Sequence, residues 1–166
     1  MYNRMEDSMS RYAENTSVSA EQSRGEIERT LTRYGAGGFM YAWDGPRAII
    51  MFRLLDRHIK FVMDLPDGND RRFTHTEAKQ QERSPDAALK AWEQACRQRW
   101  RALALCIKAK LEAVEAGISE FENEFMANIV LPDGQMVSDF MRPQIALAYD
   151  SGAMPKLLPD YSCSDT

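Results

Sequence analysis

The clearest pattern in this chain is a stripe of large apolar residues in its second half. From Leu89 to Phe125 such residues recur at steps of three or four positions without a slip. Since one face of an α-helix repeats about every 3.6 residues, this spacing is typical of an amphipathic helix. Ser84 followed by Pro85 is a favourable helix start. The pattern predicts one long helix over residues 84–128.

A helix of that length raises a packing problem. About 40 residues make a rod of roughly 60 Å, whereas a globule of this size has a radius of gyration of about 15 Å. Either the helix breaks, for which Gly117 is the natural place, or its far part packs against a second copy of the chain. We favour the second outcome and expect a homo-oligomer that forms through the long helix.

The charges of the predicted helix are arranged against its dipole. Basic residues fill its first half, over 90–110, and acidic residues fill its second half, over 112–124. A helix dipole favours the reverse order. Three explanations stay open: antiparallel pairing of two copies, an anion bound over Arg97 and Arg101, or a solvated face with local ion pairs.

A shorter helix is predicted near the N-terminus, over about 20–34. Ser19 and Gln22 have the spacing of a capping box, and apolar residues then recur at helical spacing. The glycine-rich stretch 35–38 follows. A phosphate-binding loop would follow a strand and open a helix, which is the opposite order. We therefore interpret this stretch as a helix-to-strand connector.

The period of the apolar residues drops to two between Phe39 and Leu65. Two alternating stretches, 39–43 and 59–65, lie on either side of a continuous apolar run over 48–54, with turn residues at 44–46 and around Asp56. Such alternation is typical of strands with one buried face. We predict a three-stranded antiparallel meander.

The segment 67–86 is polar and holds one large apolar side chain, Phe73. So polar a segment buries too little surface to offset the entropy of ordering it. We predict a mobile polar loop, with a loop ordered by a ligand as the alternative. Its basic pair, Arg71 and Arg72, is then the main flexible cationic group.

Short elements are expected after the long helix. Residues 132–134 form a turn signal between two apolar runs, and Ser138 begins a short C-terminal helix. Residues 1–17 and 160–166 are predicted to be flexible tails, and 157–158 to pack along the surface.

The composition is that of an ordinary globular protein. The chain has 166 residues, of which 44% are hydrophobic, so we expect a single α+β domain over residues 18–159. The net charge of −4 gives no general attraction to nucleic acid. No segment is apolar enough to cross a bilayer, and three cysteines make no disulfide framework. We expect a cytoplasmic protein that does not enter membranes.

No catalytic, metal-binding or nucleotide motif is recognisable. The two histidines, His58 and His75, have no partners at ligand spacing. Cys96 and Cys106 lie on or beside the apolar stripe, where we expect buried side chains rather than nucleophiles. We therefore predict no cofactor and no metal, and we assign no catalytic residue.

Aromatic residues next to arginines offer the best candidate for a binding surface. Tyr34, Tyr41 and Trp43 stand close to Arg33 and Arg47, and such pairs suit a nucleobase. In the alternative interpretation the rings form the core side of the hairpin, and the exposure of Trp43 separates the two. With the arginines of the polar loop and the long helix, the candidate anion or nucleotide contacts are Arg33, Tyr34, Tyr41, Trp43, Arg47, Arg71, Arg72, Arg97 and Arg101.

Three stretches, residues 33–52, 97–137 and 143–159, resemble small proteins encoded by bacteriophages and prophages. The similarity covers roughly 16–159 and brings no established active site. It implies a phage context, in which such proteins commonly bind DNA during replication or a component or signalling nucleotide of host defence.

The resemblance leads us to expect a non-enzymatic protein that acts inside the bacterial host cell. Its expected role is to counter host defence by sequestering a nucleotide signal or by blocking a protein effector. The first alternative is a nucleic-acid-binding accessory of phage replication or recombination. The second alternative is an enzyme that acts on nucleotides or nucleic acid.

Overall fold

A computed structural model describes residues 16–76 and 80–153 of the chain. The predicted α+β fold is confirmed: one helix, a three-stranded sheet, a long helix and short C-terminal helices. The elements in chain order are α1 Ala20–Arg33, β1 Gly37–Asp44, β2 Arg47–Leu54, β3 Arg57–Asp64, α2 Arg71–Thr74, α3 Pro85–Glu115, α4 Phe121–Phe125 and α5 Val137–Ser151. The tail predictions for 1–15 and 160–166, and that for 157–158, lie outside the described residues.

Helix α1 begins and ends where the sequence predicts. Ser19 Oγ accepts from the Gln22 amide at 3.1 Å, and the Gln22 side chain accepts from the Ser19 amide at 2.9 Å, which completes the capping box. At the other end Gly35 has φ +82° and the Ala36 amide donates to the Leu31 carbonyl at 3.0 Å. This is a Schellman stop, so the glycine-rich stretch is the connector to β1.

The three strands form an antiparallel sheet in the order β1-β2-β3, with two-residue loops between them. Leu55 and Asp56 both have positive φ, as the tight turn between β2 and β3 requires. One face of the sheet is buried: Ile50, Phe52 and Ile59 are each exposed by 2% or less. In β3 the alternation in the sequence identifies the inner face correctly, because Ile59 and Phe61 are buried and Lys60 and Val62 are not.

The prediction of one helix over 84–128 is wrong beyond Glu115. Gly117 has φ +68°, and the Ile118 amide donates to the Ala113 carbonyl at 2.9 Å, so α3 ends in a second Schellman stop. The chain then turns and forms the short helix α4. The helix therefore breaks at Gly117, which is the alternative to one continuous helix.

The break lets one copy of the chain cover most of its own apolar stripe. Trp100, Ile107 and Leu111 of α3 and Phe121 and Phe125 of α4 are all buried. They pack with α1 and the inner face of the sheet in one core. The length of the stripe therefore no longer requires a second copy. Self-association stays a prediction, but the length of the apolar stripe no longer supports placing the contact on the long helix.

The break also accounts for part of the charge split along the stripe. After the turn, Glu124 of α4 lies beside Lys110 of α3, with Nζ 3.6 Å from Oε2. Glu122 approaches Arg57 of β3 at 3.8 Å. Glu122 and Glu124, which would oppose the dipole of a single long helix, thus belong to a separate segment and meet basic partners, whereas Glu112 and Glu115 stay in the last turn of α3.

The polar segment 67–86 is tied to the body by its single apolar side chain and by one bridge. Phe73 of α2 is 6% exposed. His75 pairs with Glu82 as an isolated antiparallel bridge. At the base of the segment the Trp92 indole donates to the Pro66 carbonyl at 2.7 Å. Local order is therefore present on both sides of the undescribed residues 77–79.

The segment after α4 covers the outer edge of β3. The Val130 amide donates to the His58 carbonyl at 2.8 Å, and the Asn128 side chain donates to the Lys60 carbonyl at 3.1 Å. The predicted small hairpin follows, closed by the bridge between Val130 and Met136. Helix α5 comes next and has no buried residue. Among the described helices, none combines the length and apolarity needed to cross a membrane.

Candidate functional site

Three aromatic rings meet at the end of the inner sheet face that lies nearest α1. Tyr41 and Trp43 come from β1, two residues apart and therefore on the same face, and Trp100 comes from α3. The Tyr41 and Trp43 ring centroids are 5.4 Å apart at 82°, and those of Trp43 and Trp100 are 6.2 Å apart at 76°. Both contacts have the edge-to-face geometry that aromatic pairs prefer.

Arg24 of α1 completes this aromatic cluster, which we define as Tyr41, Trp43, Trp100 and Arg24. Its guanidinium carbon lies 5.1 Å from the Tyr41 ring centroid and 5.7 Å from that of Trp100. It also donates to the Tyr41 hydroxyl at 3.3 Å and pairs with Glu21 at 3.2 Å. Burial raises the pKa of the Tyr41 hydroxyl, although Arg24 acts in the opposite direction.

The members of the aromatic cluster differ sharply in exposure. Trp100 is 1% exposed, whereas Trp43 is 53% exposed. The cross-strand neighbour of Trp43 is Ala48, whose small side chain covers little of the indole. Trp43 is therefore an aromatic surface that opens to solvent, while Tyr41 beside it is half-buried against the core.

Arg33 and Tyr34 belong to a different place in the fold. Arg33 pairs with Glu112 at 3.2 Å, and the Tyr34 hydroxyl donates to Glu115 at 2.6 Å. The bond to Glu115 raises the pKa of Tyr34, and the bond to Tyr34 raises the pKa of Arg33. Glu112 lies twelve residues after Trp100, or about 18 Å along α3. This pair fastens the end of α1 to the end of α3, away from Trp43.

Arg97 and Arg101 are engaged within the chain. Arg101 forms a close, partly buried ion pair with Glu26 of α1. Arg97 donates to the Gln94 side chain at 3.0 Å and lies 3.8 Å from Glu93. An anion bridging these two arginines would have to displace the contact that joins α1 to α3.

The remaining predicted arginines also have partners: Arg47 lies at a hairpin turn, and Arg71 and Arg72 lie next to each other in α2. Arg47 pairs closely with Asp44 at the turn between β1 and β2. Arg72 pairs with Asp70 at 3.2 Å and its guanidinium lies 4.6 Å from the Phe73 ring centroid. Arg71 donates to Gln80 at 3.3 Å. Of the nine predicted residues, only Tyr41 and Trp43 come together in the aromatic cluster.

Sequence reasoning missed Arg24 and counted Trp100 only as a core residue. Arg24 reaches Tyr41 across 17 positions of sequence, and no local pattern reports such a contact. Trp100 lies on the apolar stripe, so its burial was predictable while its contact with Trp43 was not.

Nucleophile and metal chemistry find little support in the described part of the chain. It contains no group of three side chains that could hold a metal ion. Burial raises the pKa of Cys96, which disfavours the thiolate. The prediction that Cys106 is buried is wrong, because the residue lies beside the stripe and its side chain is exposed.

Comparison with protein-family models, with curated proteins and with solved structures gives no match. The candidate function is therefore argued from the contacts above and from the phage resemblance.

Proposed function

We propose that this protein is a binding protein of the bacterial host cytoplasm that holds a nucleotide by stacking its base on Trp43. The observation that carries the proposal is the 53% exposure of an indole within an otherwise half-buried or buried aromatic cluster. The resemblance to small phage proteins supports the wider role, which is the sequestration of a nucleotide signal of host defence.

The geometry around Trp43 suits stacking. Its edge-to-face contacts with Tyr41 and Trp100 hold the indole in one orientation, so a ligand does not have to order it. Stacking of a base on an aromatic side chain contributes about 1–3 kcal/mol and tolerates any base. Recognition of one base over another would need polar contacts beyond Trp43.

The pairing of the six predicted arginines favours a ligand with few phosphates. All six predicted arginines have a carboxylate or amide partner within the chain. A nucleic-acid backbone needs many unpaired cations, because each neutralised phosphate adds to affinity through counterion release. Arg24 is the cation that the cluster itself supplies, and its pair with Glu21 is partly exposed and correspondingly weak.

The direct test is a titration with adenine and guanine nucleotides, linear and cyclic, followed by quenching of tryptophan fluorescence and by calorimetry. We expect Trp43→Ala to weaken binding by about 5- to 150-fold, which corresponds to the loss of one stacking contact. Trp43→Phe should retain part of the affinity because it keeps a ring. Leu89→Ala removes an equally exposed apolar side chain, at 51%, from another surface and should change nothing.

The alternatives give different readings in the same experiments. Affinity for single-stranded DNA that falls steeply with salt would favour the nucleic-acid accessory. Recovery of a cleaved nucleotide after incubation would favour an enzyme. Equal affinities for the parent protein and Trp43→Ala would refute the stacking site.

A further inference from the structure

The two edges of the sheet differ in whether another segment of the described chain is hydrogen-bonded to them. Along the outer edge of β3 the carbonyls of His58 and Lys60 accept hydrogen bonds from Val130 and Asn128. In an antiparallel pair joined by a two-residue loop, the residues that close the loop bond to each other, and the bonded positions then alternate. Asp44 and Arg47 close the first loop.

That alternation decides which groups of β1 point away from the sheet. The main-chain groups of Met40, Ala42 and Asp44 face β2, so those of Tyr41 and Trp43 face the open edge. No other described residue shares a main-chain hydrogen bond with this pair beyond the sheet. The edge of β1 is thus available for one more strand.

The composition of β1 does little to prevent such pairing. Proteins protect free edges with lysine, proline or bulges. Residues 37–44 contain no lysine, arginine or proline, and Asp44 is the only charge. The one irregularity lies between Gly37 and Met40, which leaves the stretch from Met40 to Asp44 regular.

We propose that β1 pairs with β1 of a second copy of this chain, antiparallel and centred on Ala42, to form a continuous six-stranded sheet. This register uses the whole regular stretch and leaves the bulge outside it. Tyr41 of each copy lies opposite Trp43 of the other, and these opposed residues exchange their main-chain hydrogen bonds. Asp44 lies opposite Met40, so no like charges meet.

The pairing also extends the candidate site across the two-fold axis. The side chains of Tyr41 and Trp43 share the inner face, so each exposed indole gains Tyr41 of the second copy as a cross-strand neighbour. Only this consequence rests on the proposed function. The pairing itself needs no ligand.

The central position of Ala42 permits a charge-swap test. Its side chain points to the outer sheet face, in the same row as Ile49 and Val62, and the exposure of Met40 and Val62 on that face lets a longer charged side chain reach solvent in the single chain. In the proposed dimer the two Ala42 side chains are directly opposed, with Cβ atoms about 5 Å apart. Ala42→Lys or Ala42→Glu therefore places like charges at the axis, whereas a mixture of the two variants pairs opposite charges.

The measurement is sedimentation velocity of the full chain without ligand, over about 1–100 µM. We expect the parent protein and the neutral control Ala42→Gln to dimerise. Each charged variant should dimerise at least about tenfold more weakly, and an equimolar mixture should regain the dimer. A parent protein that stays monomeric, charged variants that dimerise as the parent does, a monomeric Ala42→Gln or a mixture that fails to recover would each overturn the proposal. Circular dichroism establishes that each variant is folded.

A failed nucleotide titration does not bear on this result. If nucleotides bind but the parent protein is monomeric, the proposed function stands and the pairing falls. If the charge swap succeeds but no nucleotide binds, the pairing stands and the proposed function falls.

Discussion

Two aromatic clusters lie on the inner face of the same sheet. One is closed to solvent and the other is open to it. Phe52, Phe61, Phe121 and Phe125 form the first, and each is exposed by 7% or less. The aromatic cluster of Tyr41, Trp43, Trp100 and Arg24 is the second, and its outermost ring is half exposed. The first is closed by α4, which the turn at Gly117 brings back onto the sheet, whereas the second has no such cover among the described residues.

The difference in closure goes together with a difference in chemistry. The phenylalanines offer no polar atom, so complete burial leaves nothing unsatisfied. The second cluster carries a hydroxyl, the indole N–H of the exposed Trp43 and a guanidinium, and these polar groups can contact a ligand at a surface. An aromatic surface with polar groups at its rim is the usual composition of a binding site, and a closed phenylalanine cluster is that of a core.

The largest effect is expected from removing a ring of the closed cluster. Phe125 is fully buried; its ring centroid lies 5.0 Å from that of Phe121, with the rings tilted by 30°, and it meets Phe52 edge-on at 6.4 Å. We expect Phe125→Ala to lower the free energy of unfolding by about 3–5 kcal/mol, because it creates a cavity in the core. Urea unfolding followed by circular dichroism measures this. Ile118→Ala, at a position 81% exposed, is the control and should change stability by less than about 0.5 kcal/mol.

The next test acts on the turn that closes the first cluster. Gly117 has φ +68° and open space where a Cβ would stand, so Gly117→Ala introduces backbone strain without a clash. The expected loss is about 1–2 kcal/mol in urea unfolding. Gly25→Ala is the matched control in regular helix, where the new Cβ meets only the flexible Arg29 side chain, and it should stabilise by about 0.5–1 kcal/mol. Equal effects at both glycines would contradict the assigned turn.

The sequence was sufficient for the elements but not for this turn. Capping at Ser19, the turn signals at 44–46 and around Asp56 and the apolar alternation of β3 are local signals, and the structure confirms each. Gly117 marks a possible break, but the sequence does not show that the helix ends there, because Phe121 and Phe125 continue the helical spacing of the stripe on its far side. The spacing of apolar residues indicates which side chains are buried, but it does not indicate whether they all belong to one helix.

The candidate site was predictable only in part, for a similar reason. Tyr41 and Trp43 are two residues apart on one strand, so their shared face follows from the sequence. Arg24 and Trp100 join them through the packing of α1 and α3, which no local pattern encodes. The predicted arginines do not form one site, because each pairs with an acid or amide close to it. The positions of charges along a chain do not predict such pairing.

The two tryptophans of the open cluster should differ in how much their removal lowers the free energy of unfolding. Trp43→Ala removes an exposed ring and its edge-to-face contacts, which should cost about 1 kcal/mol. Trp100→Ala removes a buried ring from the core and should cost about 3–5 kcal/mol. Urea unfolding of both variants gives the difference. A loss at Trp43 as large as that at Trp100 would mean that the open cluster is part of the core and not a surface for a ligand.

The smallest expected effect is a change in the pH dependence of stability at the open cluster. Burial raises the pKa of Tyr41 above its ordinary value of 10.0. A group whose folded-state pKa is raised contributes stability that is complete below its unfolded pKa and is lost as the pH rises through the folded pKa. The parent protein should therefore lose stability above about pH 10 more steeply than Tyr41→Phe, which has no hydroxyl to ionise. Urea unfolding of both proteins at about pH 8, 10 and 11 measures the two slopes.

Tyr34→Phe is the control for the other tyrosine with a raised pKa, and it should remove only the contribution of the bond to Glu115. Identical slopes for the parent protein and Tyr41→Phe would show that the Tyr41 ring is as well solvated as a free tyrosine, and the closed and open clusters would then differ more than their burial indicates.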